Sequence, residues 1–69
     1  MDKILESEGI ILLKSGEYYY LQYDGGELMV QIKRLPITES EAKTVIKNPE
    51  LAYDIIIKHH NKGEYGLNI

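Results

Sequence analysis

His59 and His60 are the only imidazoles in the chain, and so the first residues to consider for metal binding or acid–base chemistry. Neighbouring residues on a helix point about 100° apart, whereas two ligands on one helical face need a spacing of three or four. The pair lies among Lys58 and Lys62 just before Gly63, where positive charge favours the negative end of a helix. This reads as helix termination, with some pH sensitivity from the imidazoles, and not as a metal site. Glu64 is within reach as a third ligand, but its spacing matches no metal motif.

The carboxylates fall at turns and helix starts: Glu6 and Glu8, Asp24 and Glu27, then Glu39, Glu41 and Glu50. Paired catalytic carboxylates need environments that separate their pKa values, usually inside a cleft. Gly25-Gly26 lacks the spacing of either phosphate-binding glycine motif, and a strand rather than a helix is expected after it. Ser7, Ser15 and Ser40 have no neighbouring base in sequence, and there is no cysteine to act as nucleophile or thiolate ligand. The expectation is no catalytic residue, no cofactor, no metal and no identifiable small-molecule ligand.

Charge narrows the partners. Eight basic and eleven acidic residues give a net charge of −3 with no basic run, against the clustered positive footprint of nucleic-acid binders. The longest apolar stretch, Ile10 to Leu13, is far short of the roughly 20 residues that span a bilayer, and Met1-Asp2-Lys3 lacks the layout of a secretion signal. A cytoplasmic location with no membrane contact is expected. A chain of 69 residues is read as one domain, 1–69. With no disulfide to supplement a small core, it must rely on packing, caps or association.

The elements follow from punctuation and period. Asp2 to Ser7 reads as an edge strand or one helical turn. Ile10 to Lys14 reads as a strand ending at Ser15-Gly16, and Glu17 to Asp24, with Tyr18, Tyr19, Tyr20 and Tyr23, as a second. Gly25-Gly26 suits a type I′ hairpin turn, and Glu27 to Leu35 alternates as a third strand, so the sheet should occupy about 10–35. Pro36 should end it. Thr38 and Glu41 form a capping box, with Ile37 placed to staple onto Ala42, and Ala42, Val45 and Ile46 form a helical stripe. Asn48 and Pro49 start a second helix that Gly63 stops. Its broad apolar face carries Leu51, Ala52, Ile55, Ile56 and His59, and Tyr53 and Ile57 widen the arc. The fold class is α+β: a three-stranded antiparallel meander, with a fourth short N-terminal strand as the variant, then two short helices at about 39–47 and 49–62 packed on the sheet. The tail from Glu64 to Ile69 reads as irregular, with Tyr65 or Leu67 tucked against the domain.

Two-residue loops at Ser15-Gly16 and Gly25-Gly26 fix a register. Tyr23 then faces Leu28, Leu21 faces Val30, Tyr19 faces Ile32, Leu12 faces Tyr19 and Ile10 faces Leu21, all on one core side. The other side receives Ile11, Leu13, Tyr18, Tyr20 and Met29, too apolar for a solvated sheet face. It calls for cover by a helix, by the N-terminal segment or by a partner, and Tyr and Met suit an interface core. The expected function is therefore a small non-enzymatic protein-interaction or regulatory module, self-associating, that uses Ile11, Leu13, Tyr18, Tyr20 and Met29 or the Tyr53 and Ile57 arc. The alternative is a nucleic-acid accessory protein stacking bases on Tyr18 and Tyr20 beside Lys14, Lys33 and Arg34. A third is a subunit that completes a shared active site.

Overall fold

The computed structural model describes residues 1–25 and 31–68. Its sheet runs in chain order: β1 (Asp2–Ser7), β2 (Ile10–Ser15), β3 (Tyr18–Asp24), β4 (Ile32–Ile37) and a two-residue β5 (Leu67–Asn68). Every neighbouring pair is antiparallel. Between β4 and β5 come α1 (Glu39–Lys47), one 3-10 turn (Pro49–Leu51) and α2 (Ala52–Asn61). The N-terminal segment is thus the edge strand of the two alternatives, and the chain forms an α+β fold.

β1 turns into β2 through Glu8 and Gly9, which both have positive φ, 50° and 83°, as a type I′ hairpin loop requires. Glycine adopts this freely; glutamate does not. Replacing Glu8 with asparagine should therefore stabilise the fold by about 0.5–1 kcal/mol and raise the melting temperature by a few degrees. An unchanged or lowered melting temperature would contradict a left-handed residue at this position.

The β2–β3 loop falls at Gly16 and Glu17, since Ser15 pairs with Tyr18, one residue later than Ser15-Gly16. Leu12 accordingly faces Leu21, and Lys14 faces Tyr19. Because the shift in pairing is even, the faces of β2 and β3 stay as expected.

The β3–β4 hairpin departs further. Tyr23 faces Lys33, Leu21 faces Leu35 and Tyr19 faces Ile37, so the partner of Tyr19 lies five residues beyond the expected Ile32. Leu28, Val30 and Met29 lie outside the described residues. An odd shift inverts every side chain of β4: Leu35 enters the core, and Ile32 pairs with Asp24 on the opposite face. A two-residue loop at Gly25-Gly26 would pair Asp24 with Glu27, whereas Asp24 pairs with Ile32; Gly26 itself lies outside the described residues. The Gly25 N–H donates to the Gln31 carbonyl at 2.8 Å, and the Gln31 N–H donates to Asp24 Oδ1 at 3.0 Å, which ties the two strand ends together across a longer connection. Pro36 does not end the sheet either; it pairs with Tyr20 inside β4. β5 reaches only Lys33 and Arg34, so at Pro36 β4 is an edge strand, where a missing N–H is tolerated.

α1 starts as its sequence indicates. Glu41 N–H donates to Thr38 Oγ1 at 3.1 Å, and Thr38 N–H donates to Glu41 Oε1 at 2.9 Å. The division at Asn48-Pro49 is also present, but the Asn48 side chain makes no capping bond. The Leu51 N–H instead closes the 3-10 turn on the Asn48 carbonyl at 3.0 Å. Gly63, with φ 80°, stops α2 as its N–H bonds the His60 carbonyl at 2.9 Å. Ala42, Val45, Ala52, Ile55 and Ile56 bury against Ile10, Leu12, Leu21, Tyr23 and Leu35, with Leu5, Tyr19 and Ile37 at the margin. Both helices therefore lie on one side of the sheet. In the tail, Tyr65 and Leu67 are exposed, and Gly66 is buried.

Candidate functional site

Strand pairing arranges the face away from the helices into rows. One row reads Glu6, Ile11, Gln22, Arg34 and Leu67 from β1 to β5; the next reads Lys3, Leu13, Tyr20 and Pro36; Ser15 and Tyr18 follow. The rows stay aligned across β1 because a bulge between Lys3 and Leu5 absorbs Ile4. Leu13 is only 9% exposed yet is not part of the helix-covered cluster. Ile11 and Tyr20 are half-buried beside it, while Tyr18 (71%) and Leu67 (70%) project into solvent. The polar members are tied locally: Lys3 Nζ lies 3.1 Å from Glu6 Oε1, and Arg34 Nη2 donates to Gln22 Oε1 at 2.8 Å.

Four of the expected interface residues, Ile11, Leu13, Tyr18 and Tyr20, thus share one open face, though in different pairings: Leu13 faces Tyr20, Ile11 faces Gln22 and Tyr18 faces Ser15. Met29 falls outside the described residues. Tyr53 and Ile57 are exposed on α2, on the helical side, and the Tyr53 hydroxyl donates to the Glu8 carbonyl at 2.9 Å. Tyr53 thereby fastens α2 to the β1–β2 turn. The basic residues considered for nucleic acid are split. Arg34 shares the face with Tyr18 and Tyr20, but Lys14 and Lys33 pair with Tyr19 and Tyr23 and so point to the helical side. Lys14 Nζ sits 5.4 Å from the Tyr19 ring centre.

A second constellation joins α1, α2 and the tail, and the sequence reading missed it. His59 is buried. Its Nε2 lies 2.9 Å from Glu41 Oε2, and its Nδ1 lies 3.0 Å from Glu64 Oε1. Only the imidazolium form donates to both carboxylates. Lys58 Nζ approaches Glu41 Oε2 at 3.7 Å. Burial alone would push the Glu41 carboxyl up, but the Thr38 N–H, the hydrogen bond and charge of His59, and the Thr38 hydroxyl together hold it below its ordinary 4.5. His60 turns the other way: its Nε2 lies 2.8 Å from the Tyr23 hydroxyl, and its ring packs 5.0 Å from that of Tyr65. Burial pushes the Tyr23 phenol up, partly offset by a hydrogen bond from the Gly66 backbone.

Chemically this is a clasp. Both nitrogens of His59 are engaged by carboxylates, so the ring presents no free nitrogen to a substrate, and no group of three potential metal ligands converges among the described residues. Glu64, considered with the histidines as a ligand, acts instead as a hydrogen-bond partner of His59. Gly66 has a role that only the fold reveals. A Cβ there would lie 2.9 Å from Lys33 Cβ and 3.3 Å from the Arg34 carbonyl carbon, so only glycine lets the tail lie this close to β4.

Among the described residues no helix is long and apolar enough to cross a membrane. No protein-family model, curated protein or solved structure matches the chain.

Proposed function

We propose that this chain is a non-enzymatic protein-interaction module whose contact surface is the open sheet face. The observation that supports it is the one-sided packing: both helices bury against Ile10, Leu12, Leu21, Tyr23 and Leu35, and the opposite face carries Ile11, Leu13, Tyr18, Tyr20 and Leu67. Antiparallel sheets covered on one side normally turn polar residues to water on the other, and aromatic residues flanked by a polar rim characterise interface cores. Edge-to-edge pairing through β1 is a poorer mode, because its bulge and its charged residues Asp2, Lys3 and Glu6 obstruct strand addition.

Tyr20 sits in the central row and is the expected anchor. Removing an aromatic anchor commonly weakens binding by about 2 kcal/mol, so Tyr20→Ala should lower affinity roughly thirtyfold, while Tyr53→Ala on the helical side should leave it unchanged. Sedimentation over a wide concentration range reads homotypic binding, and native pull-down followed by titration reads heterotypic binding. Equal affinity of Tyr20→Ala and the unaltered chain, with circular dichroism unchanged, would refute the reading.

A further inference from the structure

We propose that the open face is closed by a second copy of this chain, related by a two-fold axis that runs parallel to the strands between β2 and β3. The inference rests on the interaction-module reading above and names its partner. Its support is the order of residues within the rows. Such an axis lays each row on its own copy in reverse, so β1 covers β4 of the second copy and β2 covers β3. In the row Glu6, Ile11, Gln22, Arg34, reversal sets Glu6 against Arg34 of the second copy and Arg34 against Glu6 of the second copy. In the row Lys3, Leu13, Tyr20, Pro36, it sets Leu13 against Tyr20 twice over. The two Leu13–Tyr20 pairs, with Ile11 set against Gln22 twice beside them, form the centre; the two opposite-charge pairs form the rims, and Leu67 of β5 lies outside this four-strand contact.

The charge of the face itself permits self-association. The chain carries −3 overall, which opposes self-association, but the described face sets Lys3 and Arg34 against Glu6 and Asp24, which balance. Face-to-face sheets pack about 10 Å apart with strands nearly aligned, a spacing that leucine and tyrosine fill together. Four strands at about 4.8 Å give a contact roughly 19 Å wide, at the small end of specific interfaces, so dissociation is expected on the order of micromolar concentrations.

The rim pairs give the test. Within one chain Glu6 and Arg34 stand three strand intervals apart, about 14 Å, too far to pair with each other. In a dimer of Glu6→Arg chains both rims would be positive; in a dimer of Arg34→Glu chains both would be negative. Each variant alone should dimerise about tenfold more weakly than the unaltered chain. An equimolar mixture of the two should recover dimer to within about threefold, because a heterodimer pairs opposite charges at both rims. Analytical ultracentrifugation from 1 μM to 1 mM (about the range around the expected constant) reads all four samples, with circular dichroism confirming that each variant is folded. If a variant fails to fold, Glu6→Gln and Arg34→Gln replace the pair, and each should weaken the dimer about threefold. Recovery in the mixture, or weakening by both glutamine variants, supports the two-fold dimer. Absence of recovery, absence of weakening, or an unaltered chain that stays monomeric throughout overturns it. A monomeric chain that still captures another protein in a Tyr20-dependent manner would remove the second copy and leave the interaction module standing.

Discussion

Leu35→Ala is expected to destabilise the domain by about 3 kcal/mol, whereas the same truncation at Ile32 should cost less than about 1 kcal/mol. Leu35 is 2% exposed and packs in the cluster between sheet and helices, while Ile32 is only half-buried and sits beside Asp24 on the other face. For a chain of this size about 3 kcal/mol is a large part of the total stability, so Leu35→Ala should be partly unfolded at room temperature or melt far earlier. The contrast reads the register of β4 directly, since a slip of one residue would exchange the two positions. Urea unfolding of both variants supplies the measurement, and equal losses, or a larger loss at Ile32, would contradict the pairing of Leu21 with Leu35.

The second large effect belongs to Glu41, which serves two structures at once. It closes the capping box with Thr38 and receives the buried His59. Glu41→Ala removes both and should cost about 3 kcal/mol, combining a cap of about 1 kcal/mol with a charge-assisted hydrogen bond of about 2 kcal/mol. Glu41→Gln retains an acceptor for the Thr38 N–H, as capping boxes allow, and should cost about half as much. The pH dependence separates the two contributions. The carboxyl of Glu41 is held below its ordinary 4.5 in the folded protein, so its contribution is fully present above that value and is lost as pH falls through the lower folded value. The stability gap between the native chain and Glu41→Gln should therefore narrow below about pH 4.5. A gap that stays constant from pH 7 to pH 3 (roughly from well above to well below the ordinary carboxylate value) would mean that the charge of Glu41 contributes nothing.

Elements and caps were legible because local chemistry decides them. Thr38 and Glu41 mark the start of α1, Pro49 divides the helices and Gly63 stops α2, each through bonds that lie within a few residues. The core faces of β2 and β3 were legible for the same reason, as alternation survives an even change of register. β4 was not. Two adjacent glycines offer a tight turn, and nothing local signals that Asp24 instead receives the Gln31 N–H, seven residues on. Leu35 and Ile37 then displace Ile32 from the core. The clasp was hidden by distance. Glu41 and His59 are 18 residues apart, and a histidine near a helix end has a sufficient explanation in the dipole. A glycine kept for lack of room, as at Gly66, looks in sequence like any other glycine.

Site-specific photo-crosslinking tests whether the open sheet face is a protein contact. A benzophenone side chain placed at Tyr18, exposed on the sheet face, is compared with one at Tyr53, exposed on α2, each in the full chain in native lysate. A discrete covalent adduct, with the chain itself or with another protein, is expected from position 18 and none from position 53. No adduct from position 18, or an adduct from position 53 alone, would contradict it.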